Sequence, residues 1–268
     1  MNFMDEKNII ICLSVMILLM APRVGFSTEG KIPESATSFP LEVDAKVSLS
    51  LMTSLVDLHV EKIMDCLDVL ILSGEVQSGD WKKMKPLLKR LKKKMPPSVI
   101  WFARPDGSYN TVEKDLTDKN LKDRSYFPTV MAGGKVVGAL VFSKSTGRKS
   151  FIVAVPVKVG EKVVGMLGAS VFLEEFNQII MKNMNLPENT LFFTLNAKAN
   201  TVLNWKRERI FLDPTRQGSP SMAKAIREML SQEEGVVEYE FQGKTRKVIF
   251  LTSKLTGWHF ALGRIKDK

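Results

Sequence analysis

The chain has 268 residues, of which 44% are hydrophobic and 25% are charged, and its formal net charge is +10. This length can bury a substantial core, and the composition excludes a disordered or collagen-like protein. Two cysteines are too few for a disulfide framework or a multi-cysteine zinc site. The two histidines, His59 and His259, lie far apart in sequence, which argues against a histidine-based metal enzyme. The basic balance favours an anionic partner: nucleic acid, a membrane surface or an acidic ligand.

An apolar run at residues 9–21 is the first element of the chain. It is shorter than the roughly 20 residues of a transmembrane helix and has the length of the apolar part of a secretory signal. We therefore expect residues 1–27 to form a signal peptide cleaved after Ser27, or else an uncleaved membrane anchor. Residues 28–43 are expected to form a linker. The mature protein would be secreted to a periplasmic or other extracytoplasmic space.

Apolar side chains at alternating steps of four and three predict a long helix over residues 44–72. Two interpretations stay open: the helix packs on its own domain, or it forms a homodimer with a second copy. His59 lies on the same seam and is interpreted as a packed histidine rather than a ligand. The seam consists of Ala45, Leu49, Met52, Val56, His59, Ile63, Cys66 and Leu70.

A second helix is predicted over residues 80–95, with Asp80 as its N-cap and a kink at Pro86. We call it the lysine-rich helix, because basic residues cluster on it without an intervening acid. They form either a solvated face or a surface for anionic headgroups or an acidic partner. No aromatic residues alternate with them for base stacking, so nucleic acid is not expected as a partner. The basic residues are Lys82, Lys83, Lys85, Lys89, Arg90, Lys92, Lys93 and Lys94.

From residue 98 the hydrophobic period changes to two, which indicates strands. An Asp-Gly turn at residues 106–107 predicts a hairpin, and residues 113–134 read as polar and irregular. Residues 44–184 are predicted to form the long helix and a five-stranded antiparallel module, and residues 185–268 a second, smaller module. The overall prediction is an α+β protein. The predicted strands are 99–103, 108–112, 135–142, 149–159, 162–172, 190–196, 201–205, 235–241, 244–253 and 258–264, and further helices are 173–184 and 219–231.

Catalytic signatures are incomplete throughout the sequence. It contains no phosphate-binding glycine loop, no His-Glu-x-x-His pair and no Gly-x-Ser-x-Gly elbow. Ser221-x-x-Lys224 matches a nucleophile signature, but we interpret it as the start of a helix with Ser219 or Ser221 as its cap. We therefore expect no enzymatic activity, no cofactor and no metal.

Between residues 106 and 173, five short motifs occur in a fixed order and together resemble the double Cache family of PAS-like extracytoplasmic sensor domains. The resemblance extends over residues 44–264 and implies two PAS-like antiparallel modules, with a small molecule bound in the first. The motifs are Asp106-Gly107, Leu121 to Phe127, Ser143 to Gly147, Ala154 to Val157 and Gly165 to Gly168.

The same resemblance implies a ligand site. Arg124 would clamp an anion, with Tyr126 and Phe127 as walls, since an arginine beside aromatic residues suits a carboxylate with an apolar body. Ser170 stands where amino-acid-sensing members carry an aspartate for the ligand's amine, so a carboxylate or other organic anion is expected. The implied site residues are Arg124, Tyr126, Phe127, Ser143, Lys144, Ser145, Trp101, Tyr109 and Ser170.

Two functions follow as expectations. The first is a free-standing, non-enzymatic sensor domain that passes its signal to a separate membrane-bound chemoreceptor or sensor kinase, since the chain ends soon after the last predicted strand. The alternative is a scaffold protein with a Cache-like fold and no working pocket. It would bind an anionic membrane or a receptor through the lysine-rich helix.

Overall fold

A computed structural model describes residues 44–184 and 186–266. The predicted signal peptide and linker lie outside the described residues. Within the described part, none of the helices combines the length and apolar character needed to cross a bilayer.

Helix α1, Ala45–Leu70, confirms the first predicted helix. Its seam faces the protein's own core, where Leu49, Val56 and Ile63 are buried, so it packs on its own domain. His59 is packed as predicted: its Nδ1 lies 2.8 Å from the carbonyl oxygen of Leu55, and its ring meets Phe176 edge-on.

The lysine-rich helix follows a short helix α2, Gly74–Gln77, and forms α3, Trp81–Lys92. Asp80 caps it as predicted, accepting a hydrogen bond of 2.9 Å from the amide of Lys82. The helix ends three residues earlier than predicted, since Pro96 and Pro97 follow closely and cannot donate helical hydrogen bonds. Its apolar side chains face inward and most of its basic ones face outward.

The first module is a six-stranded antiparallel sheet in the order β3-β2-β1-β6-β5-β4. The prediction of five strands was wrong. Residues 113–134 contain strand β3 and helix α4, Phe127–Met131. Because β3 is an edge strand with mostly exposed polar side chains, it has no apolar alternation to reveal it. The strands are β1 Ser98–Ala103, β2 Ser108–Thr111, β3 Asp115–Asn120, β4 Val136–Phe142, β5 Lys149–Val159 and β6 Lys162–Phe172.

The second module is a five-stranded antiparallel sheet in the order β8-β7-β11-β10-β9. Its helix α7 begins as predicted, since Ser219 Oγ accepts a hydrogen bond from the amide of Met222 at 3.1 Å. Ser221 belongs to this helix start and accepts a hydrogen bond from the amide of Glu240. The elements are α5 Leu173–Met184, β7 Thr190–Leu195, β8 Thr201–Asn204, a 3-10 turn Arg207–Arg209, α6 Pro214–Gln217, α7 Pro220–Leu230, β9 Glu234–Phe241, β10 Lys244–Thr252 and β11 His259–Lys266.

The hydrophobic core has three parts. The largest runs from α1 across one face of the first sheet to the second sheet. At its centre Trp258 meets Phe151 edge-on, with ring centroids 5.4 Å apart, and its indole nitrogen donates to the Gly138 carbonyl oxygen. The other two parts lie on the far face of each sheet, away from this shared core. The far face of the first sheet carries the predicted site.

Candidate functional site

Trp101 contacts several residues on the far face of the first sheet. It lies on β1 opposite Gly168 of β6, and a Cβ at residue 168 would come within 2.3 Å of its ring. Its indole nitrogen donates a 3.0 Å hydrogen bond to Ser170 Oγ, and its ring centroid is 6.2 Å from that of Tyr126. The structure therefore brings three of the predicted site residues into contact, and glycine at 168 is what allows the indole to lie flat on the sheet.

Arg124 lies in the loop between β3 and α4. Its Nη2 donates a 2.6 Å hydrogen bond to the carbonyl oxygen of Phe142, at the end of β4. Its Nε is buried and has no hydrogen-bond acceptor among the described residues. One edge of the guanidinium therefore fixes the loop, and another remains able to bind an acceptor. The predicted pairing of an arginine with aromatic residues on this loop is present.

Tyr109 and Tyr126 lie close to each other, and Arg124 lies near Tyr126. Tyr109 is 2% exposed, and within the described ranges its hydroxyl has no hydrogen-bond partner. Burial raises the pKa of Tyr126 far above its usual value, although the nearby charge of Arg124 opposes the shift. The Tyr126 phenol is therefore neutral at physiological pH. An unpartnered buried polar group costs about 1–3 kcal/mol, so the Tyr109 hydroxyl and Arg124 Nε would each gain from a ligand.

The turn between β4 and β5 holds the predicted polar contacts. Ser143 is buried, and its Oγ lies 3.3 Å from Ser145 Oγ. Lys144 Nζ donates to the carbonyl oxygen of Asn120 at 2.6 Å and forms an ion pair with Asp123. Lys144 therefore fastens the turn to the loop that carries Arg124. Its charge already has a partner, so it is a weaker candidate for ligand contact than Arg124.

Phe127 begins α4 and is 5% exposed. It belongs to the hydrophobic layer on the far face of the first sheet, together with Val130 of the same helix. That position is compatible with a ligand-pocket wall or with a core residue.

Within the described chain, no group of three or more His, Cys, Asp or Glu side chains converges as a metal site requires.

Comparisons by sequence find no family model and no curated protein that matches the chain. Comparisons by structure find solved sensor domains. The extracellular domain of histidine kinase rpHK1S-Z16 shares 17% identity at a TM-score of 0.66, covering 83% of this chain and 92% of that one. The ligand-binding domain of the Pseudomonas aeruginosa amino acid chemoreceptor PctB, in complex with L-Gln, shares 15% identity at 0.64, covering 83% and 90%. That of the Pseudomonas fluorescens chemoreceptor CtaA, in complex with L-serine, shares 15% at 0.61, covering 83% and 94%.

The chain has the double Cache fold. The predicted long helix followed by two antiparallel modules is thereby confirmed. These identities concern the fold, and the amino acids named for PctB and CtaA belong to those proteins.

The chain also carries a pocket that the sequence did not predict. It lies in the second module, has a volume of about 220 Å³ and contains two arginines, Arg209 and Arg246. A signal for it exists in the sequence, because Tyr239, Phe241 and Arg246 flank the Gln-Gly turn at residues 242–243. Only the hairpin register, in which Arg246 is opposite Tyr239, reveals that the arginine and the aromatic residues share a face.

Proposed function

We propose that this protein is an exported, non-enzymatic sensor domain that binds a small organic anion, with a carboxylate as the preferred group. The ligand binds on the far face of the first module, and the signal passes to a separate membrane-bound chemoreceptor or sensor kinase. One observation carries the proposal: Arg124 Nε and the Tyr109 hydroxyl are buried beside Tyr126 without partners among the described residues. A carboxylate oxygen can accept a hydrogen bond from each.

The fold supports the class of function. The solved structures similar to this chain are extracellular or ligand-binding domains of kinases and chemoreceptors. The ligand class rests on this chain's own residues. At position 170 stands a neutral serine, which accepts the indole hydrogen bond of Trp101. A serine offers no counter-charge to an ammonium group, which favours simple carboxylates over amino acids.

A thermal-shift titration of the purified protein with a panel of small carboxylates and amino acids tests this proposal. At about 100 times its dissociation constant, a ligand stabilises the folded state by about 2.7 kcal/mol, or roughly 5–10 °C in a domain of this size. We expect a carboxylate to stabilise the wild type and to lose that effect in Arg124→Ala. Arg90→Ala, on the exposed face of the lysine-rich helix, is the matched control. Undiminished stabilisation of a folded Arg124→Ala protein would contradict the proposal.

A second candidate function is a scaffold that binds an anionic surface through the lysine-rich helix. Lys85 and Lys92 pair with Asp115 and Glu113, whereas Lys82, Lys83, Lys89 and Arg90 point outward and are exposed. The surface is therefore positive even after its ion pairs are counted. It predicts binding to vesicles containing phosphatidylserine that weakens as salt rises from 50 to 500 mM. Binding that persists at high salt, or that survives replacement of those four residues by glutamine, would contradict it.

We also propose that two copies of this chain form a homodimer through α1. The seam of α1 faces the core, but Leu51 and Leu58 are 65% and 62% exposed on its opposite side. A homodimer through α1 would use these residues. Sedimentation of the wild type against Leu51→Glu tests it, since a dimer built there would dissociate.

A further inference from the structure

The pocket of the second module is lined mainly by apolar and aromatic side chains. Its volume of about 220 Å³ is below the roughly 300–1,000 Å³ of sites for drug-sized ligands, so it suits a small molecule. The aromatic residues that line it are Phe192, Phe193, Trp205, Tyr239 and Phe241. No aspartate or glutamate is among the residues that line it.

Arg246 is a buried basic residue among the aromatic side chains of this pocket. It lies on β10 opposite Tyr239 of β9 and is only 5% exposed. Its guanidinium carbon is 4.6 Å from the ring centroid of Phe241 and 6.0 Å from that of Tyr239. Its Nε has no hydrogen-bond acceptor among the described residues. Burial lowers the pKa of Arg246, although a hydrogen bond with the Tyr239 side chain opposes the shift. Because an arginine stays protonated in proteins, a charge is buried here against aromatic faces.

Arg209 brings a second positive charge to the same place. It ends the 3-10 turn, and its guanidinium carbon is 5.5 Å from the ring centroid of Phe241 and 6.0 Å from that of Trp205. The two guanidinium groups thus share the Phe241 ring. Like charges in a pocket without an acidic lining residue repel each other, and a bound anion would relieve that repulsion while satisfying the buried Nε.

We propose that this second-module pocket binds a small carboxylate with a flat or apolar body. Arg246 and Arg209 hold the carboxylate, and Trp205, Tyr239 and Phe241 enclose the body. The site is separate from the first-module site of the proposed function, and neither proposal depends on the other.

The chemistry of the lining narrows the ligand class. A guanidinium matches a carboxylate in a two-point, planar contact, and aromatic walls suit a flat or apolar group. Since the lining provides no carboxylate for an ammonium group, an amino acid would bury its own charge unpaired, which is strongly unfavourable. The site therefore prefers an aromatic or short aliphatic acid to the corresponding amino acid or amide.

Calorimetric titration with benzoate and phenylacetate tests the proposal, with benzamide and phenylalanine as comparison ligands. We expect at least one of the two acids to bind the wild type at least tenfold more tightly than benzamide and phenylalanine. Arg246→Met and Arg209→Met should each weaken that binding at least tenfold. Arg227→Met, an exposed arginine of α7 in the same module, should leave it unchanged. Failure of both acids to bind the wild type would overturn the proposal.

The melting temperature of each unliganded variant separates a binding role from a structural one. Removing an uncompensated buried charge should leave the melting temperature of Arg246→Met unchanged or higher. A folded Arg246→Met protein that binds the acid as well as wild type would overturn the proposal. If Arg246→Met does not fold, Arg246→Lys keeps the charge but loses the two-point contact, so unweakened binding by Arg246→Lys would also overturn it.

The Arg124→Ala variant distinguishes this inference from the proposed function. If Arg124→Ala abolishes acid binding while Arg246→Met retains it, the first-module site stands and this inference fails. The reverse result supports the second-module pocket alone. Loss of half of the binding stoichiometry in each variant would support both sites.

Discussion

Each module contains an antiparallel sheet with a hydrophobic layer on its far face. The modules differ in whether the basic side chains there have acidic partners. In the first module, Lys144 and Arg148 have acidic partners, Asp123 and Glu175. Among its described basic residues, only Arg124 keeps a buried nitrogen without an acceptor. In the second, Arg246 and Arg209 share a pocket with no acidic lining residue. The comparison shows that a common architecture does not fix the balance of charge on the far face of a sheet, because a few side chains set that balance.

The packing of the two far faces also differs, and Gly168→Ala is the strongest test of that difference. A Cβ at residue 168 would come within 2.3 Å of the Trp101 ring, so the indole must shift and its hydrogen bond to Ser170 is strained. We expect a loss of about 3 kcal/mol in the free energy of unfolding, measured by urea denaturation. Gly74→Ala, with nothing within 4 Å of its added Cβ, is the control. Equal stabilities of the two variants would show that the first module is not tightly packed here.

Leu212→Phe adds atoms in the second module at a place where the structure has space for them. Leu212 lines the pocket, so the larger side chain has space to occupy and should change the free energy of unfolding by less than about 1 kcal/mol. The same change should block the pocket, and benzoate and phenylacetate should no longer bind there. Denaturation and calorimetry on one sample measure both effects. A loss of several kcal/mol would mean that the pocket has no room for the added atoms.

Asp57→Asn tests, with the smallest expected effect, the link between α1 and the second module. Ser253 Oγ donates to the Asp57 carboxylate at 2.8 Å, but burial dominates and raises the pKa of Asp57. Folding therefore favours the protonated carboxyl. This contribution is present below the unfolded pKa of about 3.9 and is lost as the pH rises through the higher folded value.

The measurement for Asp57 is the difference in free energy of unfolding between wild type and Asp57→Asn from pH 3 to pH 7. Wild type should lose stability relative to the variant as the pH rises. Asp65→Asn, at an exposed position of the same helix, is the control variant. A difference that moves the other way would mean that the hydrogen bond from Ser253 outweighs burial.

The sequence predicted the regular elements well, because their hydrophobic period is visible without tertiary contacts. Helix α5 and strands β5 and β6 have the predicted bounds. Strand β3 was missed because its pairing with β2, and not an apolar pattern, defines it. Trp101, Tyr126 and Ser170 were each predicted as site residues from the resemblance to the double Cache family, although only Tyr126 lies within one of the motifs, and their mutual contact was not predicted. The pocket around Arg246 was not, because two arginines from different elements meet there only after the second sheet has formed.

The most direct test of the central claim is a calorimetric titration of the double variant Arg124→Ala, Arg246→Met with small carboxylates. The claim is that an organic anion binds where a buried guanidinium nitrogen has no acceptor among the described residues. We predict that the double variant keeps its circular dichroism spectrum and binds none of the carboxylates that the wild type binds. A folded double variant that binds them with wild-type affinity would contradict the account.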